Sequence, residues 1–245
     1  MTRVVRVGVV DSGINPRHPH VGSVAGGVGI RVRDGRVELD EDWQDLLGHG
    51  TAVAATIRGH APGAALFSIR IFRRRLDAHV EALVRAIEWA ADNGLDIVSS
   101  SLGCASRDCR PELERILRGS GLTIVSAASI RGEPSLLGGI PGVLAVVADP
   151  RLADDEVRHR DGVFYASSWA RCLGELPKEK NFHGTSLAVA HVSGAVAALL
   201  GARPMTPTEL RSEFRALCSS GGSRTSEVSA QSAGGGASAS RSNLR

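Results

Sequence analysis

Lysine is nearly missing from this chain. Lys178 and Lys180 are the only two, and arginine supplies the rest of the 29 basic side chains. We read that as a coding bias and attach no function to it. Charge of one sign does not accumulate either: 26 acidic residues leave a net charge of +3, too little to argue for a nucleic-acid partner. The four cysteines, Cys104, Cys109, Cys172 and Cys218, form no Cys-x-x-Cys pair, and none sits in a His-rich cluster at zinc-like spacing. They are expected to be free thiols in a reducing, cytoplasmic compartment. No acidic cluster stands out as a set of calcium ligands, so no metal or other cofactor is expected. No apolar run reads as long enough to span a bilayer. The opening "MTRVVRVGVVDSG" has neither an apolar h-region nor a small-residue cleavage site, so neither membrane insertion nor secretion is expected.

What is present is enough for one large α/β domain with a substantial core. Residues 4–10, "VVRVGVV", are β-branched and almost wholly apolar, which suits a central strand covered on both faces. Residues 64–72, 95–101, 121–128 and 142–148 read as further strands. Helical patterns lie between them. One covers 49–58, ahead of Gly59 and Pro62. Another covers 77–93, with Val80, Leu83, Val84, Ile87 and Ala91 on one face. "PELERILRG" at 111–119 begins with proline and ends at Gly119. Residues 186–200 are apolar nearly all round and should be buried mid-molecule. A Thr-x-x-Glu capping box, Thr206 to Glu209, opens a last helix. Alternating strands and helices predict a three-layer α/β fold, a mainly parallel sheet with helices on both faces, over residues 1–218. From 219 to 245 the chain is Gly/Ser/Ala-rich, lacks apolar periodicity and is expected to be disordered.

Candidate chemistry centres on "HGTSLAVAHVSGAVAALL", residues 183–200. A Gly-Thr-Ser run before an apolar run is an ordinary helix start, with the serine as a cap. Ser186 could instead be a nucleophile, which requires a base and a group that orients the base. His49 is the best base of the eight histidines, set between glycines in "LLGHGTAVAAT" at a helix start. Asp11 is the best acid. It follows the first strand directly, and the carboxyl ends of strands are where open α/β sheets bind ligands. An aspartate there is also a common turn former.

Taken together, "VVDSGINPRHP", "GHGTAVAA", "APGAALFSIRIF", "DIVSSSLG" and "HGTSLAVAHVSG", in this order, closely resemble the segments that mark subtilisin-like serine proteases (subtilases). The resemblance covers roughly residues 4–217. It implies that Ser186 is the nucleophile, that His49 takes and returns its proton, and that Asp11 orients the imidazole. It also implies that Ser101, Leu102 and Gly103 form the segment along which an extended peptide pairs with the backbone, so the expected partner is a peptide or protein substrate.

The sequence departs from the family pattern at the oxyanion site. Where the family carries an asparagine that donates to the tetrahedral oxyanion, an ungapped match places Ile130, which cannot donate. Asn181 and Arg131 are candidate substitutes. The family's "APG" element before the serine is missing, and its usual proline in the nucleophile helix is Ala190. With Asp11 so close to residue 1, folding without a propeptide is expected, and with it an intracellular processing role. Arg131 and the run Arg73–Arg75 are expected to favour an acidic residue just before the cut. Two other functions remain open: a silent subtilase fold that binds peptides, favoured by Ile130, and a peptide ligase or cyclase using the same serine.

Overall fold

The computed structural model describes residues 3–102, 109–130, 133–172, 177–219 and 223–224. The strands are β1 Arg6–Asp11, β2 Gly26–Arg33, β3 Arg36–Asp40, β4 Ala65–Arg70, β5 Ile97–Ser100 and β6 Thr123–Ala127. They continue with β7 Ser129–Ile130, β8 Glu133–Pro134, β9 Leu144–Ala148, β10 Glu156–Arg160, β11 Val163–Ala166 and β12 Ser223–Arg224. The helices are α1 His49–His60, α2 Val80–Asp92, α3 Arg110–Ser120, α4 Thr185–Ala202 and α5 Pro207–Ser219.

Ten strands form one sheet in the order β12-β10-β11-β9-β6-β5-β1-β4-β2-β3. Every neighbour from β11 across to β2 runs parallel. β3, β10 and β12 are antiparallel additions at the margins. β7 and β8 form a separate two-stranded ribbon. In β1 the strand period of two sends Val7 and Val9 into one core and Val10 into the other. The first core holds apolar residues of α1, α4 and α5; the second holds those of α2 and α3. The architecture is therefore the three-layer α/β arrangement that alternation of strands and helices implies.

The five expected strands are all present, with ends moved by at most two residues; the first runs on to include Asp11. α1 continues through Gly59 to His60 and stops ahead of Pro62, with the Ala61 N–H bonded to Ile57 O at 3.0 Å. α3 ends at Ser120, and Gly121, in the left-handed region, closes it in place of Gly119. The Thr206–Glu209 capping box forms: the Glu209 carboxylate accepts from the Thr206 N–H at 2.8 Å. α4 is long and apolar enough to cross a membrane (18 residues, mean hydropathy 1.6), contrary to the expectation that no run is. It runs instead through the first core, with most of its residues buried.

Two hairpins had no counterpart in the sequence reading. β2 and β3 join through Asp34-Gly35, and β10 and β11 through Asp161-Gly162. All four turn residues have positive φ, the geometry of a type I′ turn, for which Asp-Gly is a preferred pair. Ser223 and Arg224, inside the segment expected to be disordered, pair with Val157 and Glu156 of β10. Residues 225–245 lie outside the described residues.

Candidate active site

Asp11 is the last residue of β1 and is fully buried. Its Oδ1 accepts from the Ser12 N–H at 2.7 Å and from His49 Nδ1, also at 2.7 Å. A carboxylate bonded to Nδ1 fixes the proton there, which leaves Nε2 with its lone pair free to act as a base. Asp11 Oδ2 has no partner among the described residues.

His49 opens α1 and is almost fully buried. Burial acts to lower its pKa, but the Asp11 hydrogen bond, the Asp11 charge and the Asp45 charge outweigh it, so the pKa lies above the ordinary histidine value. The helix reaches β1 this closely because residue 50 is glycine. A Cβ there would stand 2.2 Å from Gly13 O and 3.1 Å from the Asp11 Cβ.

Asp45 organises the approach to His49, and the sequence reading missed it. Its Oδ1 accepts from Ser12 Oγ (2.9 Å), the Leu47 N–H (2.8 Å) and the Gly48 N–H (3.0 Å). Its Oδ2 accepts from the Thr51 N–H (2.9 Å) and Thr51 Oγ1 (2.6 Å). Ser12 Oγ in turn accepts from the Gly50 N–H at 2.9 Å. One carboxylate thus ties the end of β1 to the first turn of α1, much as a capping side chain does. The available signal was an aspartate four residues before a Gly-flanked histidine.

Ser186 is the second residue of α4. Gly184 occupies the N-cap position and no side chain caps the helix, so Ser186 is not a capping residue. α4 lies beside α1 and runs in the same direction. At one end Phe182, just ahead of α4, places its ring edge-on to His49 with centroids 5.8 Å apart. At the far end of α1, His60 Nε2 donates to His191 Nδ1, two turns into α4, at 2.7 Å, and His191 Nε2 donates to Trp169 O at 2.8 Å. The helix starts that carry His49 and Ser186 are therefore neighbours. In the first turn of α4 the Leu187 N–H bonds to Gly184 O at 3.1 Å, while the N–H groups of Thr185 and Ser186 have no intrahelical partner and form the positive end of the helix dipole.

The remaining expected site residues lie as follows. Ser101 and Leu102 continue past the end of β5, which is an internal strand between β1 and β6, so only this overhang is free of the sheet ladder. Leu102 is buried in the second core, and Ser101 Oγ is buried without a partner among the described residues. Ile130 ends the short strand β7, with its backbone paired to Glu133. The Asn181 amide donates to Arg171 O at 3.0 Å and accepts from the Phe182 N–H at 2.8 Å, so it is engaged locally. Gly103 and Arg131 lie outside the described residues. Arg73 was expected to set free positive charge beside a peptide, and that expectation fails. It pairs with Asp40 and with Asp42, each at 2.8 Å, because the β2–β3 hairpin brings those carboxylates to the end of β4.

A family model described as the subtilase family matches residues 2–136, a span that holds Asp11 and His49 and stops short of Ser186. Subtilisin NAT of Bacillus subtilis subsp. natto is 27% identical over 221 residues, covering 82% of this chain and 56% of that protein. The chain thus spans little more than half of that relative's length. Subtilisin of Bacillus pumilus is 26% identical, covering 82% of this chain and 78% of that protein. An intracellular serine protease of Paenibacillus polymyxa is 28% identical over 225 residues, covering 80% and 66%. Among solved structures, a cold-adapted subtilisin-like serine proteinase superposes with a TM-score of 0.67 at 22% identity, over 89% of this chain and 84% of that one. That likeness concerns the fold.

Proposed function

The chain belongs to the subtilase family, and on that premise we propose that it is a serine endopeptidase working through Asp11, His49 and Ser186. The observation that carries this reading is the 2.7 Å bond from His49 Nδ1 to the buried Asp11, at the start of a helix adjacent to the one that bears Ser186. In the reaction, Ser186 Oγ attacks the scissile carbonyl while His49 Nε2 takes its proton. The tetrahedral oxyanion takes a hydrogen bond from the Ser186 N–H at the start of α4. His49 then gives the proton to the leaving amine and the acyl-enzyme forms. Water, deprotonated by the same imidazole, releases the acid. Asp11 stabilises the imidazolium.

Ser101 to Gly103 hold the acyl side of the peptide by backbone pairing in this reading. The likeness to the Paenibacillus intracellular protease supports a cytoplasmic location. A fluorophosphonate probe tests the chemistry. Labelling of the wild-type chain that is lost in Ser186→Ala is the expected result. Labelling that survives the substitution, or none in either protein, rejects it.

Ile130 at the family's asparagine position favours a second reading, a silent peptide binder; that reading predicts peptide binding without probe labelling. A ligase or cyclase would label as well, and mass analysis of products, joined rather than hydrolysed, separates it from a protease.

A further inference from the structure

A cavity of about 830 Å³ opens beside Gly48 and Phe182, the neighbours of His49, and neither Ser101 nor Leu102 lines it. Gly48, Thr51, Ala52 and Ala55 line it along one stripe of α1, and Phe182 and His183 close its other side. If the acyl half of a peptide lies along 101–103, the half that leaves on the amine protonated by His49 departs on this side.

Two cations stand at this cavity. Arg171 and Lys180 both line it, both are exposed, and neither has an ion pair among the described residues. Two cations nearby in the fold behave differently. Lys178, the other lysine, reaches Asp154 at 3.4 Å and lies over the Trp169 ring. Arg58 satisfies its guanidinium on four backbone carbonyls. Arg171 is also held in place. Its N–H donates to Thr56 Oγ1 at 3.2 Å, its carbonyl accepts from Asn181, and its side chain crosses α1 at Gly59, where a Cβ would lie 3.5 Å from Arg171 Cδ. A fixed stem with an unpaired head group is what recognition of a carboxylate needs.

Building on the protease reading, we propose that this cavity selects substrates with an acidic side chain three to five residues after the cut. The register follows from distance. Thr56, which holds the Arg171 backbone, and Gly59, against which its side chain lies, are seven and ten residues along α1 from His49, or about 10 and 15 Å at the helical rise of about 1.5 Å per residue. An extended peptide advances about 3.3 Å per residue, so about three to five residues reach that far. Asp45, whose charge sits at the His49 end of the cavity, disfavours an acid immediately after the cut and so sharpens the register.

The test uses the full chain with Ser186→Ala, so that binding is read without turnover. Fluorescent Ala-rich octapeptides carry two Glu, two Gln or two Lys in the C-terminal half, and anisotropy gives the affinities. The Glu peptide should bind about five- to tenfold more tightly than the Lys peptide, with a difference that shrinks as salt rises. Adding Arg171→Gln and Lys180→Gln together should bring that ratio to about one while the Gln peptide still binds, which shows that the fold is retained. Equal or tighter binding of the Lys peptide overturns the proposal. So does a Glu preference that persists in the double variant, or no binding of the Glu peptide at millimolar concentration. In parallel, cut sites of the wild-type chain are mapped on a proteome-derived library. A chain that cuts nothing refutes the protease reading, and the binding ratio still decides the cavity.

Discussion

Asp45 grips Thr51 twice, its Oδ2 accepting both the Thr51 N–H at 2.9 Å and the Thr51 hydroxyl at 2.6 Å. The pair spans the turn that delivers His49, so Asp45 acts on the imidazole in two ways, by placing it and by its charge. Asp45→Asn separates them. Removing the charge removes one of the influences that raise the His49 pKa, so the neutral base persists to lower pH. The acid limb of the kcat/KM profile should move down in pH, and the plateau should also fall because the turn loosens. An acid limb that stays in place would show that the charge of Asp45 does not reach the ring. The pH profile, or an NMR titration of the His49 ring, reads the shift.

Substituting Ser186→Ala, His49→Ala or Asp11→Asn should each lower kcat by about 10⁴-fold or more, a magnitude known from subtilisin itself rather than obtained from this geometry. The three act as one unit. A Ser186→Ala/His49→Ala double variant should therefore be little worse than either alone. Single-turnover kinetics on a peptide substrate, with circular dichroism to verify the fold, checks both points. Additive losses would mean that the residues do not cooperate.

Ile130→Asn should raise turnover. The family's asparagine contributes about 10²–10³ in rate through one hydrogen bond to the oxyanion, a figure that itself comes from subtilisin. Only part of that is expected here. A lower kcat in the variant would mean that another donor already fills the position, and Arg131→Ala and Asn181→Ala would then identify it.

The His60–His191 pair should make the fold acid-sensitive. Burial, followed by the neighbouring His191, lowers the His60 pKa to about 3, and burial lowers that of His191 as well. Unfolded histidines titrate near 6.5, so below that pH the unfolded chain binds protons that the folded chain refuses. Stability is complete above about pH 6.5 and falls as the pH drops toward 3, by at most about 1.4 kcal/mol per pH unit for each group. Thermal melts between pH 7 and 4 should show a steeper fall in Tm for the wild type than for His60→Gln, whose amide can donate to His191 but does not titrate. Equal slopes would rule out the pair as the source.

The proposed reacting groups and the helices that carry them were legible because the proposed chemistry tolerates few residue types at those points. A buried carboxylate at a strand end and a histidine between glycines both leave marks in a single chain. Asp45 left a weaker mark. Its role depends on five donors drawn from Ser12, Leu47, Gly48 and Thr51, and only the fold gathers them. The two hairpins were legible in principle, since Asp34-Gly35 and Asp161-Gly162 each stand between short alternating runs. Their strands are polar on one face and lie at the sheet margins, so a search for continuous apolar runs passes over them. Pairing of Arg73 with Asp40 and Asp42 was hidden for the same reason, because the acids arrive by way of the first hairpin. The cavity beside α1 could not be read at all, since a run of small residues at helical spacing looks the same whether it faces a core or a groove.

Gly194 lies where α4 passes α1. A Cβ there would stand 2.7 Å from the His60 Cβ and 3.1 Å from Ile57 O, so the two helix backbones meet there as closely as their atoms permit. The contact is a fulcrum. From it α1 runs back to His49 and α4 runs back to Ser186, each arm about two to three turns long. A wedge as small as one methyl group at residue 194 would rotate those arms against each other and spread their far ends. On the proposed mechanism, the gap between base and nucleophile is therefore set in a buried contact far from both, and variation there would retune the chemistry while leaving every reacting side chain unchanged.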